Sequence, residues 1–398
     1  MKIVILNVKY SPNLGDGAIA ECLEMQIASS VINSQVSSID IGGMEDYGVG
    51  GSIVSQKLSL TRLLDCLPDK LSSWVKTYTM PTLVSLKYGK IWREKLQNCD
   101  AIIIGGGHLF MDIDNYFPSR LMTAVKSAPV GVKIYVHAVG VSQRWTKRGR
   151  KFFERAFSHG ELSGVSVRDA QSLENWKEVF PFIPAEICRD PAILASELYI
   201  DHKQVVKRRG KHVVGLGIAD MENMKQHADQ DTKVICGNFE SYITIIEKLS
   251  KANFDIVLFT NGGDDVYLTK LANFIKLKHQ ELYSVLSIAP KPNKPVELVN
   301  LIRSFDAVIA HRLHANILAY SFAVPSIGLG WDRKLESFMH AAGREEFLVK
   351  SDNEASNILS MLEMIFSNKH NFSDQVRLEA QAGANRLAAS LSTHGDIL

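Results

Sequence analysis

Short apolar runs alternate with longer amphipathic stretches along most of this chain. Apolar runs rich in β-branched residues, separated by helical patterns, are typical of parallel strands that are covered by helices on both faces. The clearest predicted strands are Ile3–Val8, Ala101–Ile104, Lys133–Val136, Val165–Val167, Val213–Ile218, Asp255–Phe259, Ala307–Ala310 and Val324–Gly328. The pattern therefore predicts an α/β protein built from doubly wound, Rossmann-like sheets.

The alternation restarts after a polar, basic stretch at residues 199–211. A chain of 398 residues is also long enough for two domains, at about 100–200 residues per domain. We predict one Rossmann-like domain over residues 1–205 and a second over residues 206–398, which ends in a C-terminal helix. Two such domains are expected to face a cleft and to bind ligands there, at the carboxyl ends of their strands.

Residues 46–100 fit this plan poorly, and we predict that they form a helical insertion in the first domain. Within it, residues 60–98 carry an excess of basic side chains with aromatic residues interleaved: Lys70, Trp74, Lys76, Tyr78, Lys87, Tyr88, Lys90, Trp92, Arg93 and Lys95. One interpretation is a solvated helical surface. The other is a surface for peripheral association with a membrane or for a polyanionic acceptor.

Composition and charge exclude several classes of protein. Hydrophobic residues make up 46% of the chain and charged residues 22%, which argues against a disordered chain or a coiled coil. The formal net charge of +2 gives no overall field for a nucleic-acid partner. The five cysteines form no CxxC pair and the histidines lack metal-ligand spacing, so we predict no metal site and no cofactor.

The predicted location is cytoplasmic. The first strand is too short and too polar at Asn7 for a signal peptide, and no apolar run reaches the 18 residues that suggest a membrane span. A reducing cytosol also suits the scattered cysteines. The sequence contains no signal for an oligomeric state.

Two glycine-containing segments follow the first strands of the predicted N-terminal domain. Asn13-Leu14-Gly15-Asp16 precedes a helix, where Asp16 either caps the helix or orients or deprotonates a hydroxyl. The run Gly105-Gly106-Gly107-His108 follows Ala101–Ile104. It either allows a ligand to lie close to the backbone or forms a tight packing turn, and it matches neither common nucleotide-binding motif.

Basic side chains also stand where later strands end. His137 follows one strand, where it is either a satisfied core histidine or a functional group. Arg168 closes another strand beside Asp169, so it either pairs with that carboxylate or awaits an anionic ligand. The sharpest segment is Ala310–Ala315, in which Arg312 and His314 alternate and so point the same way along an extended chain. A fixed cation beside an imidazole suits an anionic substrate that gains or loses a proton.

Taken together, these motifs resemble the polysaccharide pyruvyl transferase family. The matching elements are Asn13-x-Gly15-Asp16-x-Ala18-Ile19, Gly105–Gly107, Ser166-Val167-Arg168-Asp169, Asp190-Pro191-Ala192, Arg312-Leu313-His314-Ala315, Ala323-Val324-Pro325-Ser326-Ile327 and Asp332-Arg333-Lys334. Their order spans residues 3 to about 345, and the segment from Arg312 to Ala315 before a Val-Pro strand is the best single mark. One departure is Trp331, where the family commonly has a tyrosine.

The resemblance implies a GT-B-like fold, with the N-terminal domain on the acceptor side and the C-terminal domain on the donor side. It also implies transfer of a pyruvyl group from phosphoenolpyruvate to two hydroxyls of a sugar in a cell-surface polysaccharide or its lipid-linked precursor. The expected acceptor is a galactose- or other hexose-containing glycan. The product would be a cyclic ketal, as in exopolysaccharide biosynthesis.

Residue roles follow from the resemblance and from the positions described above. The predicted catalytic residues are His314, Asp16 and His137. The predicted donor-binding residues are Arg168, Arg312, Gly105, Gly106, Gly107 and Lys334. The predicted acceptor-binding residues are Asn13, His108 and Trp331.

Two other functions stay open at this point. One is a GT-B glycosyltransferase that uses a nucleotide sugar, which would need a base-and-ribose pocket for which no signature stands out. The other is a non-catalytic carbohydrate-binding protein of envelope assembly, against which the intact set of Arg168, Arg312 and His314 counts.

Overall fold

The computed structural model describes residues 1–47, 69–112, 115–200, 210–222, 224, 234–367 and 373–392, and it describes their side chains except at 69–78, 80 and 353–355. Most of the predicted linker and the first part of the predicted insertion lie outside these residues. The chain forms two compact units. The first comprises Met1–Pro12, Asp16–Pro191 and Glu379–Leu398, and the second comprises Asn13–Gly15 and Ala192–Leu378.

The first unit contains a parallel six-stranded sheet. Its strands are β1 Lys2–Asn7, β2 Gln35–Asp40, β3 Ala101–Phe110, β4 Lys133–Val141, β5 Glu161–Val167 and β6 Glu186–Ile187. They lie in the order β2-β1-β3-β4-β5-β6, and Ile3 pairs with both Val36 and Ala101. This is the flavodoxin-like order, in which the chain changes direction between β1 and β3 and leaves a crevice at the carboxyl ends of those two strands.

The second unit contains another parallel six-stranded sheet. Its strands are β7 Val213–Gly217, β8 Asp255–Phe259, β9 Leu286–Ile288, β10 Ala307–Ala310, β11 Ser326–Leu329 and β12 Leu348–Val349. They lie in the order β12-β11-β10-β7-β8-β9, so the switch point falls between β7 and β10. This is the Rossmann order, and it confirms the predicted pair of doubly wound α/β sheets.

Helices connect the strands and cover the sheets. In chain order the α-helices are α1 Leu14–Ser30, α2 Asp69–Leu96, α3 Tyr116–Lys126, α4 Lys147–Phe157, α5 Ala170–Val179, α6 Ala195–Leu198, α7 Phe239–Lys251, α8 Asp265–Lys278, α9 Gln280–Val285, α10 Pro295–Arg303, α11 Leu313–Ser321, α12 Arg333–Ala341, α13 Ile358–Phe366 and α14 Gln375–Ser392. Several start at a side-chain cap; for example, Asp169 accepts a hydrogen bond from the Ser172 N–H and begins α5. Among the described residues, none of these helices has the length and apolarity needed to cross a bilayer.

Strands β3 and β4 extend further along the chain than the sequence pattern predicted. Gly105–Gly107 lie inside β3, and His137 lies inside β4, where it pairs with Gly105. The placement of both at strand-to-loop junctions was therefore wrong. Gly106 and Gly107 adopt positive φ angles of 72° and 95°, and the register shifts between Gly107 and Phe110. The glycines thus form an irregular strand segment rather than ending the strand.

The described part of the insertion is a helix with one buried face. Val84, Tyr88, Trp92 and Leu96 recur every fourth residue along α2 and are buried in the core of the first unit. The lysines and arginine between them are exposed. For Tyr88 and Trp92, the interpretation as part of a surface aromatic array is wrong, because these rings stack on each other inside the protein. The side chains of Lys70, Trp74, Lys76 and Tyr78 lie outside the described set.

Most of the C-terminal helix, from Glu379 onward, belongs to the first unit, although the sequence-based boundary at 205/206 assigned it to the second. Leu387, Ala388 and Leu391 of α14 pack with Leu23 and Ile27 of α1 on one face of the first sheet. A parallel sheet needs apolar cover on both faces, and α14 completes that cover. Gly383 allows the contact, because a Cβ there would lie 2.0 Å from the Cys188 Sγ.

The glycine contact leads to a stability prediction. We expect Gly383→Leu to lower the free energy of unfolding by about 1–3 kcal/mol, because the added side chain overpacks the site beside Cys188. Ala382→Leu, on the exposed side of the same helix, should leave it nearly unchanged. Urea unfolding followed by tryptophan fluorescence measures both. Equal stability of the two variants would show that α14 does not depend on this contact.

Candidate active site

Arg168 is the most telling predicted site residue of the first unit. It follows β5 directly, its backbone N–H donates to the Val139 carbonyl at 3.0 Å, and its side chain is only 5% exposed. Its Nε donates to the Asp169 carboxylate at 3.2 Å. The Nη2 group is buried and has no hydrogen-bond partner among the described residues. Arg168 therefore pairs with Asp169, as one of its two alternatives predicted, and its predicted contact with an anionic ligand stays a prediction.

Gly140 makes room for this arginine and for His108. A Cβ at Gly140 would lie 2.3 Å from the His108 Nδ1 and 2.9 Å from the Arg168 Nη2. The other nitrogen of His108, Nε2, lies 2.8 Å from the Ser142 Oγ. The structure therefore brings His108 and Arg168 together across Gly140 of β4. Sequence reasoning missed Gly140, and its only signal was a glycine near the end of a buried strand.

The three glycines of β3, Gly105, Gly106 and Gly107, differ in what surrounds them. A Cβ at Gly105 would lie 2.8 Å from Leu23 of α1, and one at Gly106 would lie 2.5 Å from Ile19 of the same helix. A Cβ at Gly107 would meet nothing within 4 Å. Gly105 and Gly106 thus allow helix α1 to pack closely on the sheet, as the packing alternative proposed, whereas Gly107 faces open space.

His137 is a buried and neutral histidine. It is 3% exposed, its Nδ1 lies 3.2 Å from the Ser166 Oγ, and its Nε2 lies 3.7 Å from the Cys188 Sγ. Burial lowers its pKa to about 4, and the charge of Arg386 adds to the effect. These contacts are those of a satisfied core histidine, which was one of its two interpretations.

Asp16 and Asn13 lie at the start of α1. Because the helix begins at Leu14, Asp16 lies within its first turn, where a carboxylate interacts favourably with the partial positive charge of the helix end. Asn13 directly precedes the helix, and both side chains are partly exposed.

In the second unit, Arg312 is held by an acid that sequence reasoning missed. Its Nε and Nη2 donate three hydrogen bonds to the two carboxylate oxygens of Asp264, at 2.7–2.9 Å. The Asp264 side chain is 1% exposed and the Arg312 side chain 19%. Asp264 follows β8 and Arg312 follows β10, so their strand ends lie at the same edge of the sheet. The only signal in the sequence was an acidic pair after the glycines of Thr260–Asp265.

His311 anchors the loop that carries Arg312. Its Nε2 lies 2.5 Å from the Ile235 carbonyl, which can only accept, so Nε2 carries the proton. Its Nδ1 is then an acceptor for the Tyr242 hydroxyl at 3.1 Å. Burial lowers the pKa of His311 to about 4, which keeps it neutral. His311 is therefore a structural residue.

Trp331 and Lys334 both contact the frame of the second unit. The Trp331 indole N–H donates to the His311 carbonyl at 2.6 Å, and the residue is 6% exposed. The Lys334 ammonium lies 3.1 Å from the Asp332 carboxylate, which also caps α12. Trp331 and Lys334 are thus both tied to neighbouring groups of the second unit, and their predicted contacts with an acceptor and a donor stay predictions.

His314 lies in the first turn of α11 and is 8% exposed. Gly15, which clusters with the second unit, packs against it: a Cβ at Gly15 would lie 2.3 Å from the His314 Cβ. Asn316 of the same helix donates to the carbonyls of Ala310 and Arg312, both at 3.1 Å. The turn that presents Arg312 and His314 is thus fixed from both sides. Among the described residues, no cluster of three potential metal ligands occurs.

The two sheets, each with basic residues at the carboxyl ends of its strands, define a two-domain α/β protein of the GT-B-like, Rossmann-like class. The sequence profile of the polysaccharide pyruvyl transferase family matches residues 13–333. The chain therefore belongs to this family of transferases, which confirms the resemblance seen in its motifs. No curated protein sequence gives a significant match.

Solved structures support the fold. The chain is similar to a UDP-GlcNAc 2-epimerase from Neisseria meningitidis bound to UDP-GlcNAc, with a TM-score of 0.57, 11% identity, and coverage of 99% of this chain and 100% of that one. A putative UDP-N-acetylglucosamine 2-epimerase from Listeria monocytogenes gives a TM-score of 0.55 and 13% identity, with 100% and 97% covered. At such identities, the likeness shows the fold alone.

The buried histidines predict a pH dependence of stability. In the unfolded chain His137 and His311 have the ordinary histidine pKa of 6.5, whereas burial in the folded protein lowers the pKa of each to about 4. As the pH falls through 6.5 the unfolded state binds more protons, so the free energy of unfolding decreases until about pH 4, by up to roughly 3 kcal/mol for each histidine. Urea unfolding between pH 7 and pH 5 should show a shallower decline for His137→Gln than for the wild type. An identical decline would contradict the assignment.

Gly140 predicts an effect on activity with little effect on the fold. In Gly140→Ala the new methyl group would displace the Arg168 guanidinium and the His108 ring, both of which are side-chain ends that can move. We expect catalytic turnover to fall by about 10²-fold, because displacements of about 1 Å can cost that much. Gly164→Ala is the control, since its Cβ would meet only the Tyr135 ring at 3.4 Å. Full activity of Gly140→Ala would contradict a role for this cluster.

Proposed function

We propose that this protein transfers the pyruvyl group of phosphoenolpyruvate to two hydroxyls of one sugar in a cell-surface polysaccharide or its lipid-linked precursor. The products would be a cyclic pyruvate ketal and inorganic phosphate. The main support for phosphoenolpyruvate as the donor is the buried guanidinium of Arg168, whose Nη2 has no partner among the described residues. A small polyanion is the class of ligand that satisfies such a donor.

Donor binding is assigned to Arg168, Arg312, Lys334 and the open face at Gly107. Arg312 uses Nε and Nη2 for Asp264, so its donor contact would use Nη1. The bidentate pair holds the guanidinium in one orientation before a ligand arrives, which lowers the cost of ordering it. Gly105 and Gly106 would act indirectly, because they position α1 on the sheet. The donor itself is a substrate, and the proposal needs no cofactor.

The proposed chemistry assigns the proton transfers to His314. Its imidazolium would protonate the CH2 carbon of phosphoenolpyruvate, which turns that carbon into a methyl group and makes C2 electrophilic. A sugar hydroxyl adds to C2 and loses its proton, to Asp16 or to the imidazole. The C–O bond to phosphate then breaks and phosphate leaves with the electron pair, while a fixed positive field stabilises its charge. The second hydroxyl adds to C2, loses its proton and closes the ketal.

Acceptor binding is assigned to Asn13, His108 and the ring face of Trp331. We place the reaction on the cytoplasmic side of the membrane, where a lipid-linked acceptor would be reached by peripheral association. Exposed basic residues on α2, such as Lys87 and Lys90, are compatible with that location.

Mass spectrometry tests the proposal directly. Purified protein is incubated with phosphoenolpyruvate and a panel of hexosides, glycans and lipid-linked oligosaccharides, and with UDP-sugars in a parallel set. We expect phosphate release that depends on the acceptor and a product heavier by one pyruvate less one water. Sugar transfer from a UDP-sugar without phosphoenolpyruvate turnover would instead identify a glycosyltransferase. Binding of a glycan without any transfer would identify a non-catalytic protein.

His314→Ala tests the assignment of the acid. General acid–base catalysis contributes about 10²–10⁴-fold, so we expect a loss of at least that order in ketal formation. His340→Ala, at an exposed position of α12, serves as the control and should keep full activity. Retained ketal formation by folded His314→Ala, with a thermal midpoint equal to that of the wild type, would refute the role.

A further inference from the structure

The loop after β8 holds a buried amide with unused hydrogen-bonding groups. Asn261 is 2% exposed, and neither its Nδ2 nor its Oδ1 has a partner among the described residues. Leaving a buried polar group unsatisfied costs about 1–3 kcal/mol, and folded proteins rarely keep one without a reason. An apolar side chain at this position would avoid that cost.

The other polar side chains of the same loop are all engaged. The Thr260 hydroxyl donates to the Asp265 carboxylate at 2.7 Å, Asp264 holds Arg312, and Asp265 also pairs with Lys291 at 2.6 Å. Gly262 adopts a positive φ of 103° and its N–H donates to the Thr260 hydroxyl. The loop is thus rigidly built, and among these side chains the Asn261 amide alone is left unpaired.

Asn261 also lies beside the turn that packs on His314. Its backbone carbonyl accepts a hydrogen bond from the Leu14 N–H at 2.9 Å. The next residue, Gly15, is the one whose Cα faces the Cβ and ring of His314. Asn261 and the proposed acid therefore contact two consecutive residues of one short segment within the second unit.

The chemistry of the loop favours a neutral, hydroxyl-bearing ligand. Each of its two carboxylates is matched by a cation from outside the loop, Asp264 by Arg312 and Asp265 by Lys291, so the loop itself contributes no positive charge for an anion. The Nη1 group that Arg312 keeps for the proposed donor belongs to the segment after β10 and not to this loop. An amide presents one acceptor and one donor group, and a hydroxyl both donates and accepts. A carboxylate or phosphate would satisfy the Nδ2 group and would be repelled by the Oδ1 atom.

We propose that the Asn261 amide is a substrate-binding group that hydrogen-bonds hydroxyls of the sugar acceptor. This rests on the proposed function only in taking a sugar as the second substrate. It adds an acceptor contact in the C-terminal unit to the one already proposed for Trp331.

Direct binding of simple sugars tests this without any turnover. The probes are the methyl pyranosides of galactose, glucose and mannose, titrated by saturation-transfer NMR against wild type, Asn261→Ala and Asn238→Ala. Asn238 is the matched control, because its side chain caps α7 through the Ser241 N–H at 2.8 Å and is exposed. Thermal unfolding is recorded for the same three proteins, both without ligand and with phosphoenolpyruvate.

The two asparagines should give opposite results. For Asn261→Ala we expect the Kd of the bound hexoside to rise roughly tenfold, as loss of one or two hydrogen bonds implies, while the thermal midpoint stays equal or rises. For Asn238→Ala we expect a lower midpoint, from loss of the cap, and an unchanged Kd.

Three outcomes would overturn the proposal. The first is a lowered midpoint with an unchanged Kd in Asn261→Ala, which would make the amide structural. The second is failure of all three hexosides to bind the wild type. The third is loss of the stabilisation by phosphoenolpyruvate in Asn261→Ala with hexoside binding intact, which would make the ligand an anion. A wild type that binds a hexoside through Asn261 but forms no ketal would overturn only the proposed function.

Discussion

Parallel pairing of the strands is the constraint on which two groups of polar residues depend, the one around Arg168 in the first unit and the one around Arg312 in the second. In a parallel sheet every strand ends at the same edge, so residues far apart in the chain become neighbours there. The order of strands then decides where a crevice opens, between β1 and β3 in the first sheet and between β7 and β10 in the second. The irregular segment Gly106–Gly107 lies in β3, and Arg312 and His314 follow β10. The strand order therefore places these residues on the strands that border the two crevices.

The two arginines predicted to bind the donor, Arg168 and Arg312, differ in how their positive charge is balanced. Arg312 has a dedicated partner in Asp264, which takes three hydrogen bonds and fixes the orientation of the guanidinium. Arg168 shares one hydrogen bond with Asp169, whose other oxygen caps α5, and keeps a buried donor. A buried cation is costly unless it is paired, so Arg168 is the group that gains more from an anionic ligand.

The role of each histidine depends on its surroundings in the fold rather than on its neighbours in the sequence. His311 and His314 stand three residues apart, yet His311 bonds to Ile235 and Tyr242 as a neutral part of the frame, whereas His314 opens a helix and packs on Gly15. His137 resembles His311, since burial holds both in the neutral form. As a neutral residue, His311 therefore holds the turn that bears Arg312 and His314 without adding a second charge beside Arg312.

The alternation of apolar runs and helical patterns was enough to determine two doubly wound sheets, and the ordered motifs were enough to determine the family. Both depend on local periodicity and spacing, which a sequence displays directly. Tertiary structure alone decided the pairing of Asp264 with Arg312 across 48 residues, the return of α14 to the first sheet and the isolation of the Asn261 amide. These depend on which strands become neighbours and on which faces need apolar cover, and no local pattern encodes either.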